Sequence, residues 1–167
     1  MTFLTLSSIR TLDAYYASAM GGTALFNTTS GEINIGNTGG VVAALVNPPG
    51  SGVNLYIDSF EVGATIAGRF RRWRTGTLSN LPAEISILNS GAGANVSKAK
   101  FYGAATISGT GGLMGKTTFV QASESHMTCL LGTRILKPGE NFYWTFTPNT
   151  NATSICAVDP SWWELPI

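Results

Sequence analysis

The sequence has little charge. Of its 167 residues, 11% are Asp, Glu, Lys or Arg, while 44% are hydrophobic. An average soluble domain carries about 25% charge. So sparse a charge keeps free copies apart poorly and suits a surface covered by further copies of the same chain. The net charge of +1 provides no general attraction to nucleic acid or anionic membrane. Cysteine is scarce. Cys129 and Cys156 are too few for a disulfide framework and are read as two buried thiols, with a single bridge as the alternative. Histidine occurs once, at His126. Two Cys and one His fall short of a zinc set, and the nine acids are scattered rather than clustered as calcium requires. No metal or other cofactor is therefore expected. No apolar run reaches about 18 residues, which excludes a membrane-spanning helix. The first twenty residues lack the basic start and continuous apolar stretch of a secretory signal. No internal repeat or linker divides the chain.

Catalytic patterns are missing too. His126 has Glu124, Ser125 and Cys129 nearby, but residues two or three apart on a strand do not converge into a triad. The run Gly109-Thr-Gly-Gly-Leu-Met-Gly-Lys-Thr117 suggests a phosphate loop. That motif needs glycine at position 110, where Thr110 stands, and a strand-to-helix switch that the surroundings lack. The chain is expected not to be an enzyme.

What is present is strand after strand. Val41 to Val46 is apolar throughout, as in a strand covered on both faces. Asn47-Pro-Pro-Gly-Ser-Gly52 then breaks the chain. Val53, Leu55 and Ile57 alternate on odd positions, and Phe60, Val62 and Ala64 on even ones. Strand side chains alternate strictly, so this change of parity predicts a β-bulge near Asp58-Ser59. Further strands are predicted at 32–36, 69–74, 83–87, 117–122, 154–158 and 162–164, with loops at 89–97 and 103–115. Phe142, Trp144 and Phe146 alternate with Tyr143, Thr145 and Thr147 and mark another strand with an inward aromatic face. The expected fold is all-β: a single-domain β-sandwich or jelly roll of about eight strands over 23–167, preceded by an N-terminal arm over 1–22. A helix over 8–20 is the only helical candidate. The arm carries Phe3, Leu4, Leu6, Ile9, Leu12, Tyr15 and Tyr16, too apolar to remain solvated, and such arms add strands to neighbouring subunits.

Arg69, Arg71, Arg72 and Arg74 surround Trp73. Basic and aromatic residues interleave in this way in single-stranded nucleic-acid grooves, on charged edge strands that resist stray pairing, and at subunit contacts. The near-neutral remainder of the chain speaks against nucleic acid.

The arm over 1–22 ahead of a β-sandwich resembles the layout of jelly-roll assembly subunits, among them the subunits of endospore appendage fibres. The turns Asn47–Gly52 and Lys137-Pro-Gly-Glu140 and the ending Trp162-Trp163-Glu164-Leu165 are similar to those of bacteriophage decoration and fibre proteins. Many appendage subunits carry cross-linking cysteines in the connector, and this arm has none. The resemblance implies a structural subunit that self-assembles through its arm into an extracellular filament. The alternative is a virion component such as a decoration, head-fibre or tail protein. Its partner is itself, with an anchoring or tip protein at one end and no membrane or nucleic acid. The interface candidates are the seven arm residues with Arg69, Arg71, Arg72, Trp73 and Arg74. A third reading is a carbohydrate-binding module with Trp162, Trp163 and Trp73 as its platform.

Overall fold

A computed structural model describes residues 25–90 and 95–167, and every regular element among them is a β-strand. In chain order these are β1 (Leu25–Asn27), β2 (Ile33–Ile35), β3 (Gly40–Val46), β4 (Val53–Ala64), β5 (Gly68–Arg74), β6 (Thr77–Ser79), β7 (Leu88–Asn89), β8 (Lys100–Gly103), β9 (Ser108–Thr110), β10 (Leu113–Val120), β11 (Glu124–Leu136), β12 (Asn141–Pro148) and β13 (Ser154–Pro166). One sheet runs β11-β4-β13-β1-β7, with β2 also on β13, and the second runs β10-β5-β12-β3-β8. Every pairing is antiparallel. The orders β1-β13-β4-β11 and β3-β12-β5-β10 are those of a jelly roll, two Greek keys folded face to face. The remaining strands are short additions, so the described residues hold thirteen strands rather than about eight. The arm over 1–22 and the helix predicted over 8–20 lie outside the described residues.

The core follows from strand alternation. Leu55, Ile57, Phe60, Val62 and Ala64 of β4 face Phe70 of β5 and Phe142, Trp144 and Phe146 of β12. The predicted bulge is there. Ser59 pairs with Ser161 and Ile57 with Trp162, which leaves Asp58 without a counterpart. On the other side of β4, residues 130–133 of β11 bow out at the same point.

β3 is buried along its middle on both faces. Its outer face, with Val41 and Ala44, packs with Tyr102, Ile107 and Tyr143. The small β6–β9 sheet brings Leu78 onto this cluster.

Several expectations are corrected. Residues 83–87 form no strand. Ile85 and Ile87 still pack against the core, and the Ile85 N–H donates to the Phe101 carbonyl. The predicted loop at 103–115 contains β9 and the start of β10. The two strands predicted at the C-terminal end are one strand, β13, running through Pro160. The Pro160 carbonyl accepts the Thr28 N–H. A residue's N and O point to the same side of a strand, so the missing proline N–H also falls on that side and the β4 ladder loses nothing.

Trp144 is fully buried, with Phe60 at 5.7 Å and Phe142 at 6.3 Å between ring centroids. Trp144→Ala should destabilise the domain by about 3–5 kcal/mol, read from a denaturant melt. A loss under about 1 kcal/mol would contradict this packing.

Candidate functional site

The arginine strand is β5, and it lies between β10 and β12 rather than at an edge. Alternation divides its side chains. Arg69, Arg71 and Trp73 point away from the core, whereas Phe70, Arg72 and Arg74 point between the sheets. Trp73 stacks on Tyr143 at 6.0 Å, and its Nε1 donates to Thr145 Oγ1 at 3.0 Å. The Tyr143 hydroxyl in turn donates to the Gly111 carbonyl at 2.6 Å.

Arg74 donates through Nη2 to Glu140 Oε2 at 2.6 Å and to the Ile135 carbonyl at 2.8 Å. Burial works against the Glu140 charge. The Lys137 N–H and the hydrogen bond and charge of Arg74 outweigh it and hold the carboxyl below its usual range. A carboxylate with a depressed folded pKa contributes stability above its unfolded pKa and loses it as pH falls through the folded value. Glu140→Gln should therefore be less stable than wild type at pH 7, and the gap should close as pH falls below 4.5. Denaturant melts across pH 3–7 (roughly the carboxylate range) check this.

Arg72 has no such partner. It is 5% exposed, and its Nε and Nη1 are buried without a hydrogen bond. Its guanidinium carbon lies 4.9 Å from the Phe142 ring centre and 5.2 Å from that of Phe60. A desolvated cation–π contact contributes about 2 kcal/mol, while burying an ion costs several. The two rings offset only part of that cost. Burial, then the charges of Arg134 and Arg74, lower the Arg72 pKa to about 10.

The aromatic platform expected for sugars is not available. Trp162 lies in the core beside Phe26 with its Nε1 donating to Glu164. Trp163 is buried against Tyr56 on one side and Gly132 on the other. Gly132 has a φ of +71°, and a Cβ there would come within 2.2 Å of the Trp163 ring. The buried Glu164 carboxylate accepts N–H groups from Lys98 and Ala99, tying segment 97–99 to β13.

The two cysteines are free thiols, which removes the bridge. Cys129 pairs with Ser59 on one side of β4 and Cys156 with Ala64 on the other. That register separates them by about 16 Å along the strand and about 10 Å across it, beyond disulfide reach. Cys129 is exposed, against the expectation of two buried thiols. Burial pushes the Cys156 thiol up to about 11 despite its bond to Ser154. An excess of a thiol reagent should label about one cysteine per folded chain, Cys129, and both after unfolding. Rapid native labelling of Cys156 would contradict the packing. His126 and Cys129 fall on opposite faces of β11, and no group of three His, Cys, Asp or Glu among the described residues is placed to hold a metal.

The feature that sequence reading missed is the rim formed by β10 and β11. These strands, of eight and thirteen residues, are the edges of the two sheets on the same side of the sandwich, and among the described residues each pairs on one side only. The Lys116 ammonium donates to Thr128 Oγ1 across the gap. Leu113, Met114, Phe119 and Met127 are all exposed there, Phe119 at 69%. Phe119 registers with Arg69, and Thr117 with Arg71, on the outer face of one sheet. Met127 registers with Glu61, and Glu61 with Asp159, on the outer face of the other. Each patch thus pairs an apolar side chain with charge, one basic and one acidic. Part of the signal was read, since a strand is predicted at 117–122, where Thr118 and Val120 turn inward around Phe119, but the glycines of 109–115 made the first half of β10 read as a loop.

The arm candidates Phe3, Leu4, Leu6, Ile9, Leu12, Tyr15 and Tyr16 lie outside the described residues. No helix among the described residues is long and apolar enough to cross a membrane. No known family matches the chain, and no curated protein matches it in sequence. Among solved structures, the VP2 subviral particle of infectious bursal disease virus aligns at 12% identity with a TM-score of 0.12, covering 86% of this chain and 39% of that one. The structure of the Gx strain of that virus aligns at 16% identity with a TM-score of 0.11, covering 86% and 40%. The chain spans about two-fifths of the length of these proteins, 39% and 40%. Scores this low carry no argument about fold or role.

Proposed function

We propose that this protein is a non-enzymatic structural subunit that assembles with copies of itself, using the β10–β11 rim as contact surface and residues 1–22 as a connecting arm. The observation that carries the reading is the rim. Two long edge strands whose outer main-chain groups are unpaired among the described residues, with exposed large apolar side chains, are a template for association. The occupant we favour is a second copy. The basic patch of Arg69, Arg71 and Phe119 is complementary to the acidic patch of Glu61, Asp159 and Met127 on the opposite face. A contact between two different patches is head-to-tail, and head-to-tail contacts propagate into open filaments or close into rings. The extracellular filament resembling an endospore appendage therefore stands first. A virion component stands second, favoured by the jelly-roll strand order that viral capsid domains share, an argument from fold alone.

The test is electron microscopy and light scattering of the purified chain. Polymers should form without a cofactor. Phe119→Lys and Met127→Lys should each weaken assembly while leaving stability within about 0.5 kcal/mol, as for surface substitutions. Arg69→Glu with Arg71→Glu should stop growth, and mixing with Glu61→Lys and Asp159→Lys chains should restore contact. Removing residues 1–22 should leave a folded domain that polymerises less. A monodisperse monomer at high concentration would overturn the proposal.

A further inference from the structure

We propose that the cleft between the sheets at the β10–β11 rim is a binding site for a phosphate-like oxyanion, with Arg72 as its buried ligand and Lys116 and Arg134 at its mouth. This inference is independent of the assembly reading. It begins with an orphan. Arg72 is a permanent cation, 5% exposed, with Nε and Nη1 buried and unbonded. Buried charge is ordinarily paired with charge or bonded to polar groups. Here the surroundings on two sides are the faces of Phe60 and Phe142, which can hold a cation but accept no N–H bond along its plane.

The neighbouring charges are of the same sign. Arg134 and Arg74 both act on Arg72 as cations. Lys116 is the register partner of Arg72 on β10, and its ammonium turns inward to Thr128 on β11. Glu140 is held by Arg74 and by the Lys137 N–H rather than by Arg72. Four cations therefore gather around one carboxylate already in use. An excess of positive charge suits a multiply charged anion better than a single carboxylate. Guanidinium groups meet phosphate or sulfate through parallel N–H···O bonds.

The exposed edge strand passes directly beside the guanidinium. Gly115 sits at the bulge of β10 between Met114 and Lys116. It is not among the glycines with positive φ, so backbone strain does not demand glycine. What a side chain would meet there is the guanidinium: a Cβ would lie 3.1 Å from Arg72 Nη2 and 3.4 Å from Nε. Glycine thus keeps a side chain of the exposed edge strand from pressing on the guanidinium.

The test uses inorganic phosphate and the full chain. Thermal melts are run at increasing phosphate, with sodium chloride adjusting ionic strength to a constant value. A ligand that binds only the folded state raises the melting temperature, by about 5–10 °C at 100-fold over its Kd for a domain of this size. Phosphate also stabilises proteins generally by exclusion from their surface, so the specific response is the difference between wild type and Arg72→Met. Arg72→Met keeps the packing volume and removes the charge. Its melting temperature without phosphate should equal or exceed that of wild type, and its phosphate response should shrink to the general one. Arg134→Gln and Gly115→Ala, both at exposed positions, should each reduce the wild-type response at least several-fold in apparent affinity. These two variants carry the test if Arg72→Met does not fold. A phosphate response equal in wild type and variants would overturn the proposal. So would an Arg72→Met protein that is less stable without phosphate and responds like wild type, since Arg72 would then serve only as packing between its two rings.

Discussion

β4 runs through the middle of its sheet, and its neighbours are aligned against it with one residue, Asp58, left out of register. That extra residue is the constraint on which the rest of the sandwich depends. Before it, the odd positions Leu55 and Ile57 face the core; after it, the even positions Phe60, Val62 and Ala64 do. Without the bulge, one half of β4 would turn its apolar side chains to water. β13 has no extra residue there: its register against β4 shifts between Ser161 and Trp162 while its own alternation runs on unbroken. Trp162 follows Cys156, Val158 and Pro160 onto the core side by that alternation, while Trp163 falls on the outer face, where Gly132 and Tyr56 cover it. On the other side β11 must bow out by residues 130–133, and that bow is what seats Gly132 over Trp163. The hydroxyls of Ser59 and Ser161, 2.8 Å apart, satisfy one another beside the bulge.

The second organising feature is the asymmetry between the two long sides of the sandwich. At one side the short strands β7 and β8 and the segment anchored by Glu164 extend the sheets. At the other, β10 and β11 end them. Positive charge collects at this second side, together with the exposed Leu113, Met114, Phe119 and Met127. The outward residues of the rim bear on association with other copies, and the inward residues bear on an anion. The two roles use different faces of the same strands, so they can be separated by substitution.

Much of the architecture was legible in the sequence, for a plain reason. Alternation is a local property, and it marks a strand wherever one face is apolar. Val41 to Val46, the parity change at Asp58 and the aromatic face of 142–146 were all readable for that reason. β11 was not, because it is an edge strand and its exposed residues Glu124 to Met127 show no apolar period. Residues 83–87 failed in the opposite sense. Ile85 and Ile87 alternate and do pack inward, but the segment meets the core without joining a ladder.

What the sequence by itself determined was an all-β sandwich, its central bulge, its aromatic core and a surface poor in charge. These follow from side-chain periodicity and composition, which need no knowledge of neighbours. Only the tertiary structure decided which strands are interior and which are edges. That choice rests on pairings between segments distant in sequence, and it reversed the meaning of several residues. The arginine strand became an interior strand with Arg72 enclosed between two phenyl rings. The terminal tryptophans became core and cover rather than a platform. The segment from Leu113 to Phe119, unremarkable in sequence, became an exposed rim, because exposure is set by what lies across the sheet and not by the residue itself.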